Sequence, residues 1–318
     1  MTDDGYVPVA ATTRSDRRES VHHGAVVGLD CDGSIAFAAG DPDTHVYARS
    51  ALKPLQSAAM VEAGLDLPDR LLAVVCASHD GRPEHIAAVE EILDRVDLDA
   101  GALENTEGLP LDADAAAAVI VSGDGPSAIR HNCSGKHAGM LATCVVNGWP
   151  TAGYLDRSHP LQQAITRHVD AAVDGITGVG IDGCGAPAAI VTLRGLAAAV
   201  AALAVDRGRV HRAMTEHPEM VGGPRRDVTR LMQLVPGLMA KDGAEGVFVA
   251  AVPDGRAVAL KIADGANRGR APVMLAALRA LGVDVPAAAE DELVEPVLGH
   301  GRPVGVVCSL VGDPRGAA

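Results

Sequence analysis

Two β-hairpin patterns, one near each end of the chain, constrain the fold most strongly. The segment GAVVGLDCDGSIAFAAG (24–40) places two apolar runs around Asp32 and Gly33, and GVFVAAVPDGRAVALKIADG (246–265) does the same around a second Asp-Gly pair. An Asp-Gly pair between apolar runs is a strong signal for a tight antiparallel turn. The segments between the two hairpins carry helical patterns. This order predicts an α+β fold, with an antiparallel sheet and a mostly helical middle region.

Charge and hydropathy exclude several classes of partner. The chain has 318 residues and a net charge of −14, so we expect no basic face for nucleic acid or for an anionic membrane. No run approaches the ~18 apolar residues of a membrane span, and the N-terminal residues lack the apolar core of a secretory signal. Six scattered cysteines do not form a disulfide framework, which favours a reduced, cytoplasmic protein.

Lysine is rare in this chain. Of the 27 lysines and arginines, only Lys53, Lys136, Lys241 and Lys261 are lysine. Composition bias explains the loss of lysine but not the positions of the four that remain. Arginine supplies positive charge equally well, but its guanidinium cannot be deprotonated in a protein. The remaining lysines are therefore candidates for chemistry that needs a neutral amine, except that the context AKDGAEG predicts an exposed loop for Lys241.

The segment RSALK (49–53) places a Ser-x-x-Lys pattern at the start of a predicted helix. Residues i and i+3 share a helix face, so the amine of Lys53 can reach the hydroxyl of Ser50. Serine becomes a good nucleophile when a neutral lysine takes its proton, as in β-lactamases and penicillin-binding proteins. The alternative is that Ser50 caps the helix and that Lys53 is solvated.

Two further polar positions follow or interrupt apolar runs. The run LLAVVCAS (71–78) delivers Ser78 to a loop, and the alternative is a polar turn that caps a helix beginning near Pro83. Lys261 lies in a predicted strand, where alternation points its side chain to the face opposite to its neighbours. A lysine inside a strand usually lies at a sheet edge or in solvent.

Two cysteines lie beside glycines in separate segments, Cys133 in NCSGKHAGM and Cys184 in DGCGAP. Their thiolates can bind Zn²⁺, with Asp182, His137 or a neutral Lys136 completing a tetrahedron. The spacing is not that of a zinc finger. The alternatives are two small buried thiols or, against the expected compartment, a disulfide.

Taken together, these segments resemble the bacterial L-asparaginase II family, which is unrelated to the asparaginases that use threonine nucleophiles. The resemblance rests on ARSALKPLQ (48–56), CASHDGRPEH (76–85), HNCSGKHAGML (131–141), DGCGAP (182–187), AKDGAEGV (240–247) and ALKIADGANR (259–268). It implies a fold similar to that of serine β-lactamases and glutaminases. It begins at about residue 20, and we expect a flexible N-terminus over residues 1–20 and one catalytic domain over residues 21–318.

The resemblance also implies the residues of the site. Two Ser-Lys pairs fall on Ser50/Lys53, the leading nucleophile pair, and on Ser78/Lys261, a relay or second base. The other implied residues are Arg49 beside the first pair, Cys133, Lys136 and Cys184 as zinc ligands, and Asp182, His79 and Asn132 as substrate contacts.

These residues imply an amidohydrolase that converts L-asparagine into L-aspartate and ammonia through a lysine-activated serine, with zinc assisting substrate binding. The partner is then a small molecule, and a homodimer stays open. Two alternatives remain: another Ser-Lys amidohydrolase, such as a glutaminase or a β-lactam hydrolase, and a non-catalytic zinc-binding regulatory protein. The chain departs from the family pattern at Asp80, where Ser is common, and at Val249, where some members carry Cys.

Overall fold

The computed structural model describes residues 5–312. Its strands are β1 (Val7–Arg14), β2 (Arg17–Leu29), β3 (Ile35–Ala39), β4 (His45–Tyr47), β5 (Gly178–Ile181), β6 (Pro187–Thr192), β7 (Met239–Gly243), β8 (Val247–Ala251), β9 (Ala257–Ile262), β10 (Pro296–Gly299) and β11 (Arg302–Ser309). Its helices are α1 (Lys53–Glu62), α2 (Asp69–Val75), α3 (Pro83–Asp94), α4 (Ala113–Val121), α5 (Ser134–Val146), α6 (Pro160–Ala172), α7 (Leu193–Asp206), α8 (Arg209–Glu216), α9 (Pro218–Val221), α10 (Asp227–Leu234), α11 (Arg270–Ala280) and α12 (Ala288–Leu293). No helix in this part of the chain is long and apolar enough to cross a membrane.

The chain divides into two compact units. Unit 1 comprises the chain up to Ala51, the segment Val191–Asp206 and the chain from Arg230 onward. Unit 2 comprises Leu52–Ile190 and Arg207–Thr229. The prediction of a single catalytic domain over residues 21–318 stays a prediction.

Unit 1 is built on an antiparallel sheet. The strand order is β10-β11-β1-β2-β9-β8-β7, and β3 pairs with β2. The two predicted hairpins are β2–β3 and β8–β9. In the middle of the sheet, Leu260 of β9 lies opposite Val26 of β2 and Phe248 of β8, and all three side chains are buried. Helix α7 packs against β2, β8 and β9, and α11 packs against β9 and β11, so apolar residues are buried where the sheet meets these helices.

Unit 2 contains the predicted helical middle region. Helix α1 packs against α5 and α6, α5 packs against α2 and α3, and α2 packs against α8. Strands β5 and β6 form an antiparallel hairpin in this unit, with Gly178 opposite Ile190 and Ile181 opposite Pro187. The predicted α+β class, with an antiparallel sheet and a helical middle region, is confirmed.

The first strand corrects the predicted N-terminus. The sequence analysis assigned residues 1–20 to a flexible segment, but β1 pairs antiparallel with both β2 and β11. Val9, Ala10 and Ala11 are buried there, and burial of this short apolar run holds the strand in the sheet. In the sequence this apolar run is short and a polar stretch follows it, so the pattern did not predict a strand. Residues 1–4 lie outside the described residues.

Lys241 does not lie in an exposed loop, so that prediction was wrong. Its side chain is fully buried in β7, and its amine donates to Oδ1 of Asp242 at 2.5 Å and to the Asp242 carbonyl at 2.8 Å. Nη1 of Arg270 lies 3.7 Å from the other carboxylate oxygen of Asp242. One buried carboxylate therefore faces two buried cations, and their attraction offsets the desolvation cost of burying the three charges.

The substitution Asp242→Asn should destabilise the protein strongly, because it removes the buried negative charge that faces the amine of Lys241 and the guanidinium of Arg270. Removing one partner of a buried ion pair costs about 3–5 kcal/mol of unfolding free energy. The control is Asp206→Asn at the exposed end of α7, which should change that free energy by less than about 0.5 kcal/mol. Urea unfolding measures both values. An Asp242→Asn protein as stable as the wild type contradicts a stabilising role for this carboxylate.

Candidate functional site

Lys53 is the centre of a group of predicted site residues in unit 2. It is the first residue of α1, and its side chain is 1% exposed. Its amine donates to the carbonyl of Ala77 at 2.5 Å, to Oγ of Ser78 at 3.2 Å and to Sγ of Cys133 at 3.2 Å. Three acceptors thus match the three hydrogens of an ammonium group. The alternative of a solvated Lys53 is wrong.

The contact between Lys53 and Ser78 has a direction that matters for chemistry. A carbonyl oxygen and a thiolate can accept a hydrogen bond but cannot donate one, whereas a serine hydroxyl can do both. When Lys53 is neutral, its lone pair can therefore take the hydrogen of Ser78 while its two hydrogens stay on Ala77 and Cys133. This arrangement suits a base that moves a serine proton.

Helix α5 brings the second half of the group to the same place. Cys133 is its N-cap residue and Lys136 lies in its first turn, where the Lys136 amine donates to Sγ of Cys184 at 3.4 Å. Gly135 allows this placement, because a Cβ on it would lie 2.3 Å from the carbonyl oxygen of Val74 in α2. Helix α5 therefore begins in direct backbone contact with the helix that leads to Ser78.

The charges of this group favour a thiolate. A hydrogen bond from Cys184 lowers the pKa of the Cys133 thiol well below its ordinary value, against the effect of burial, and the amines of Lys53 and Lys136 lower it further. Burial acts to lower the pKa of Lys136, but the sulfur charges of Cys184 and Cys133 raise it overall. Without a metal, the group is therefore a buried set of thiolate and ammonium charges, and Cys133 and Cys184 are not joined in a disulfide.

The predicted substrate contacts have local partners. His79 is fully buried, its Nε2 lies 3.0 Å from Oγ of Ser134, and burial lowers its pKa well below the ordinary value, so the ring is neutral. Oδ1 of Asn132 lies 3.5 Å from Sγ of Cys133. Asp182 is half-buried and accepts from its neighbouring backbone N–H at 2.7 Å. Their roles in binding substrate stay predictions.

The remaining predicted residues lie in unit 1. Arg49 and Ser50 belong to the 3₁₀ turn Arg49–Leu52. The N-cap of α1 is Leu52, without a side-chain cap, so the alternative that Ser50 caps this helix is wrong. The amine of Lys261 in β9 donates to the carbonyls of Glu245 at 2.5 Å and Ile262 at 2.7 Å, and burial lowers its pKa.

The hydroxyl of Ser78 thus lies against the amine of Lys53, a pair that the sequence analysis did not make. The predicted pairs Ser50/Lys53 and Ser78/Lys261 stay predictions. Because Lys53 and Ser78 lie 25 positions apart at the ends of different elements, no local pattern could have paired them.

Sequence reasoning also missed Tyr154. Its hydroxyl lies 2.9 Å from Nδ1 of His137 and accepts from the Glu104 backbone N–H at 3.0 Å. Burial lowers the pKa of His137 to about 4 and raises that of Tyr154. Both side chains are therefore neutral at pH 7. The one available signal was rarity, since Tyr154 is one of only three tyrosines in a chain with 2% aromatic residues.

The residues predicted to bind zinc were tested against their surroundings. Within residues 5–312, no group of three or more His, Cys, Asp or Glu side chains is placed to hold a metal ion. The predicted set supplies only two such side chains, Cys133 and Cys184, and its third donor is the amine of Lys136. Two sulfurs and one amine are donors that zinc accepts, provided that Lys136 gives up its proton. The donors fit on that condition.

Comparison with known proteins places the chain. A profile of the family described as L-asparaginase II matches residues 10–308. The chain belongs to the L-asparaginase II family. This membership supports an amidohydrolase of the Ser-Lys type that acts on a small molecule.

Solved structures and curated sequences add the following. The chain is similar to a β-lactamase from Mycobacterium bovis, with 16% identity, 77% of this chain and 88% of that chain covered, and a TM-score of 0.44. It is also similar to EstCE1, a hydrolase with promiscuous acyltransferase activity, with 14% identity, 81% and 93% covered, and a TM-score of 0.42. No curated protein sequence matches this chain significantly.

The charged state of Cys133 gives a spectroscopic prediction. In metal-free protein at pH 7, the ultraviolet spectrum should include thiolate absorbance that disappears in Cys133→Ser, because the pKa of this thiol lies well below its ordinary value. Cys144→Ser is the matched control and should change nothing at pH 7, since burial raises the pKa of that thiol to about 11. Equal spectra for wild type and Cys133→Ser contradict the charge assignment.

Proposed function

We propose that this chain is an L-asparaginase that hydrolyses the side-chain amide of L-asparagine through a lysine-activated serine. Membership of the L-asparaginase II family supports the substrate class. The observation that carries the mechanism is the buried contact of 3.2 Å between the Lys53 amine and the Ser78 hydroxyl. Lysine next to serine, away from water, is the arrangement that lets an amine act as a base.

The proposed reaction has two halves. A serine oxygen attacks the amide carbon of asparagine while the neutral lysine takes the serine proton, and the lysine then passes that proton to the departing nitrogen, which leaves as ammonia. Water next attacks the ester carbon while the neutral lysine takes one of its protons, the carbon–serine bond breaks, and the lysine passes that proton to the serine oxygen as L-aspartate leaves. The serine proton thus leaves with ammonia, and a proton from water restores the serine.

Ser50 and Ser78 take different parts in this proposal. Ser50 is only half-buried and precedes Lys53 by three positions on one helical segment, which suits the nucleophile. Ser78 is 4% exposed and lies against the Lys53 amine, which suits a relay that carries a proton between that amine and the leaving nitrogen. Lys53 is the base in both steps. Lys261, bonded to two carbonyls, is the less suitable base for Ser78.

Zinc is the second part of the proposal. Cys133, Lys136 and Cys184 would hold the ion, and with three protein ligands the fourth position stays available for a substrate group. When bound, zinc supplies a Lewis-acidic centre that orients polar groups of asparagine. Cys133 also accepts a hydrogen bond from Lys53, so this zinc ligand also orients the base.

The cytoplasmic location and the homodimer stay predictions.

The substrate is tested by measuring ammonia release from asparagine and from glutamine, together with β-lactam hydrolysis, by pure protein. We expect asparagine to give the highest kcat/KM. A higher value for glutamine or a β-lactam contradicts the proposed substrate but keeps the Ser-Lys chemistry. Absence of all three activities supports a non-catalytic zinc-binding protein instead.

The two serines should respond differently to removal. Ser50→Ala should lower kcat by several orders of magnitude, and Ser78→Ala should lower it by about 100-fold, the usual scale for one proton-transfer group. Mass spectrometry of protein quenched during turnover should find the ester on the peptide that contains Ser50. An ester on the Ser78 peptide reverses the two assignments.

Lysine at position 53 should not be replaceable by arginine. Lys53→Arg keeps the positive charge but cannot accept a proton at neutral pH, so kcat should fall as far as in Ser50→Ala. The control is Lys261→Arg, which should retain most of the wild-type activity because its carbonyl partners need only a donor. An inactive Lys261→Arg protein with normal folding supports the predicted pair Ser78/Lys261.

Zinc content gives a direct measurement of the proposed metal site. Protein purified without chelator should carry about one Zn²⁺ per chain, and Cys184→Ser should lose most of it, whereas Cys144→Ser should not. Zinc affinity should fall as pH drops, because protons compete for the Lys136 amine and for the two sulfurs. A zinc content near zero, or a Lys136→Ala protein with unchanged zinc affinity, contradicts the site.

A further inference from the structure

The loop that carries Ser78 is held by backbone hydrogen bonds within unit 2. The Ser78 N–H donates to the Val221 carbonyl at 3.0 Å, and the Asp80 N–H donates to the Gly222 carbonyl at 2.8 Å. On its other side, the Asp80 carbonyl accepts from the Asp112 N–H at 2.9 Å. Position 80 is thus the point at which the loop is held from two directions.

The carboxylate of Asp80 adds charge to these bonds. It is 3% exposed, Oδ1 lies 3.1 Å from Nδ1 of His85, and Oδ2 lies 3.4 Å from Nε of Arg82. The contact with His85 is electrostatic, since it is not aligned as a hydrogen bond. Arg82 also binds Asp112 at 2.8 Å, so the arginine joins the two carboxylates beside the loop.

The loop around Gly223 lies directly against this carboxylate. Gly223 has φ +130°, and a Cβ built on it would lie 1.9 Å from Oδ2 of Asp80. A side chain is therefore excluded at position 223 by the conformation and by the carboxylate together. The glycine thus leaves room for the side chain of Asp80, and position 80 is where the chain departs from the Ser that is common in the family.

His85 connects the carboxylate to the segment behind the loop. Its Nε2 lies 3.0 Å from the carbonyl oxygen of Glu219, which can only accept, so Nε2 carries a hydrogen. Its other nitrogen, Nδ1, then faces Oδ1 of Asp80. The His85 ring also stacks on the ring of His79, with 5.3 Å between the two centroids. His79 is the residue that follows Ser78 in the chain.

We propose that Asp80 is a positioning residue of the catalytic site: paired with His85 and seated on Gly223, it holds the Ser78 loop so that the hydroxyl of Ser78 meets the amine of Lys53. This inference rests on the proposed function for its kinetic consequence, but its structural content does not. Both carboxylate oxygens of Asp80 face protein groups, Oδ1 facing His85 and Oδ2 facing Arg82 and Gly223, so the proposal gives Asp80 no contact with asparagine. It acts only through Ser78.

The test is the variant Asp80→Asn, which keeps the size of the side chain and removes its charge. We expect kcat for asparagine to fall by about 10- to 100-fold, because small displacements of catalytic groups cost rates of this order. KM should stay within about threefold, because the residue does not contact substrate. In a Ser78→Ala background the same substitution should have no further effect on kcat. Asp94→Asn, at the exposed end of α3, is the matched control and should equal the wild type.

Hydrogen exchange measures the positioning without any activity. The backbone N–H groups of Ser78 and Asp80 should exchange at least about tenfold faster in Asp80→Asn than in the wild type, with the core of α5 unchanged. If Asp80→Asn does not fold, His85→Gln takes its place with the same expected results. A wild type without asparaginase activity but with this exchange result overturns the proposed function and leaves the positioning intact. Unchanged exchange, a rise in KM alone, or a full additional loss in the Ser78→Ala background overturns the inference.

Discussion

The amine of Lys53 is the contact on which the arrangement of unit 2 depends. It binds Ala77 and Ser78, which follow α2, and Cys133, which begins α5, while Lys53 itself begins α1. A buried ammonium without partners costs several kcal/mol, so the three acceptors have to arrive together. The bonds join the start of α1 to the residues after α2 and to the start of α5, and the glycine at position 135 lets α5 approach the α2 backbone. The same bonds bring a serine and a thiol to one nitrogen.

Cys133 contacts the proposed base, Lys53, and is also a ligand of the proposed metal site. It accepts from Lys53, and its thiolate is favoured by a hydrogen bond from Cys184, which in turn accepts from Lys136. The two sulfurs thus lie between two amines within a buried volume, where charges interact strongly. A change in protonation at Lys136 is therefore felt at Lys53 through the two sulfurs. A metal ion placed among these sulfurs would act on the serine base by the same route.

Local patterns predicted the parts of the fold that local interactions determine. Both hairpins turn at Asp-Gly pairs because the turn geometry needs only the residues at the turn. The buried state of Lys241 was not predictable in this way, because its carboxylate partner follows it directly and imitates a polar loop. The pairing of Lys53 with Ser78 depends on how α1 and α2 pack, which no single segment contains. Asp80 shows the same limit in part: His85 follows it by five positions, but Gly223, against which its carboxylate lies, comes from a distant segment.

The positions of the four lysines refine the argument from their rarity. None of the four is fully exposed, and three of them are almost wholly buried. Each amine is bound by carbonyls, a carboxylate or sulfurs at short distance, where a planar guanidinium has a different shape and more hydrogens to satisfy. Lys241 meets this need for a compact cation without any role in proton transfer. Rarity therefore selects buried amines in this chain, and only contact with a serine, as at Lys53, turns a buried amine into a candidate base.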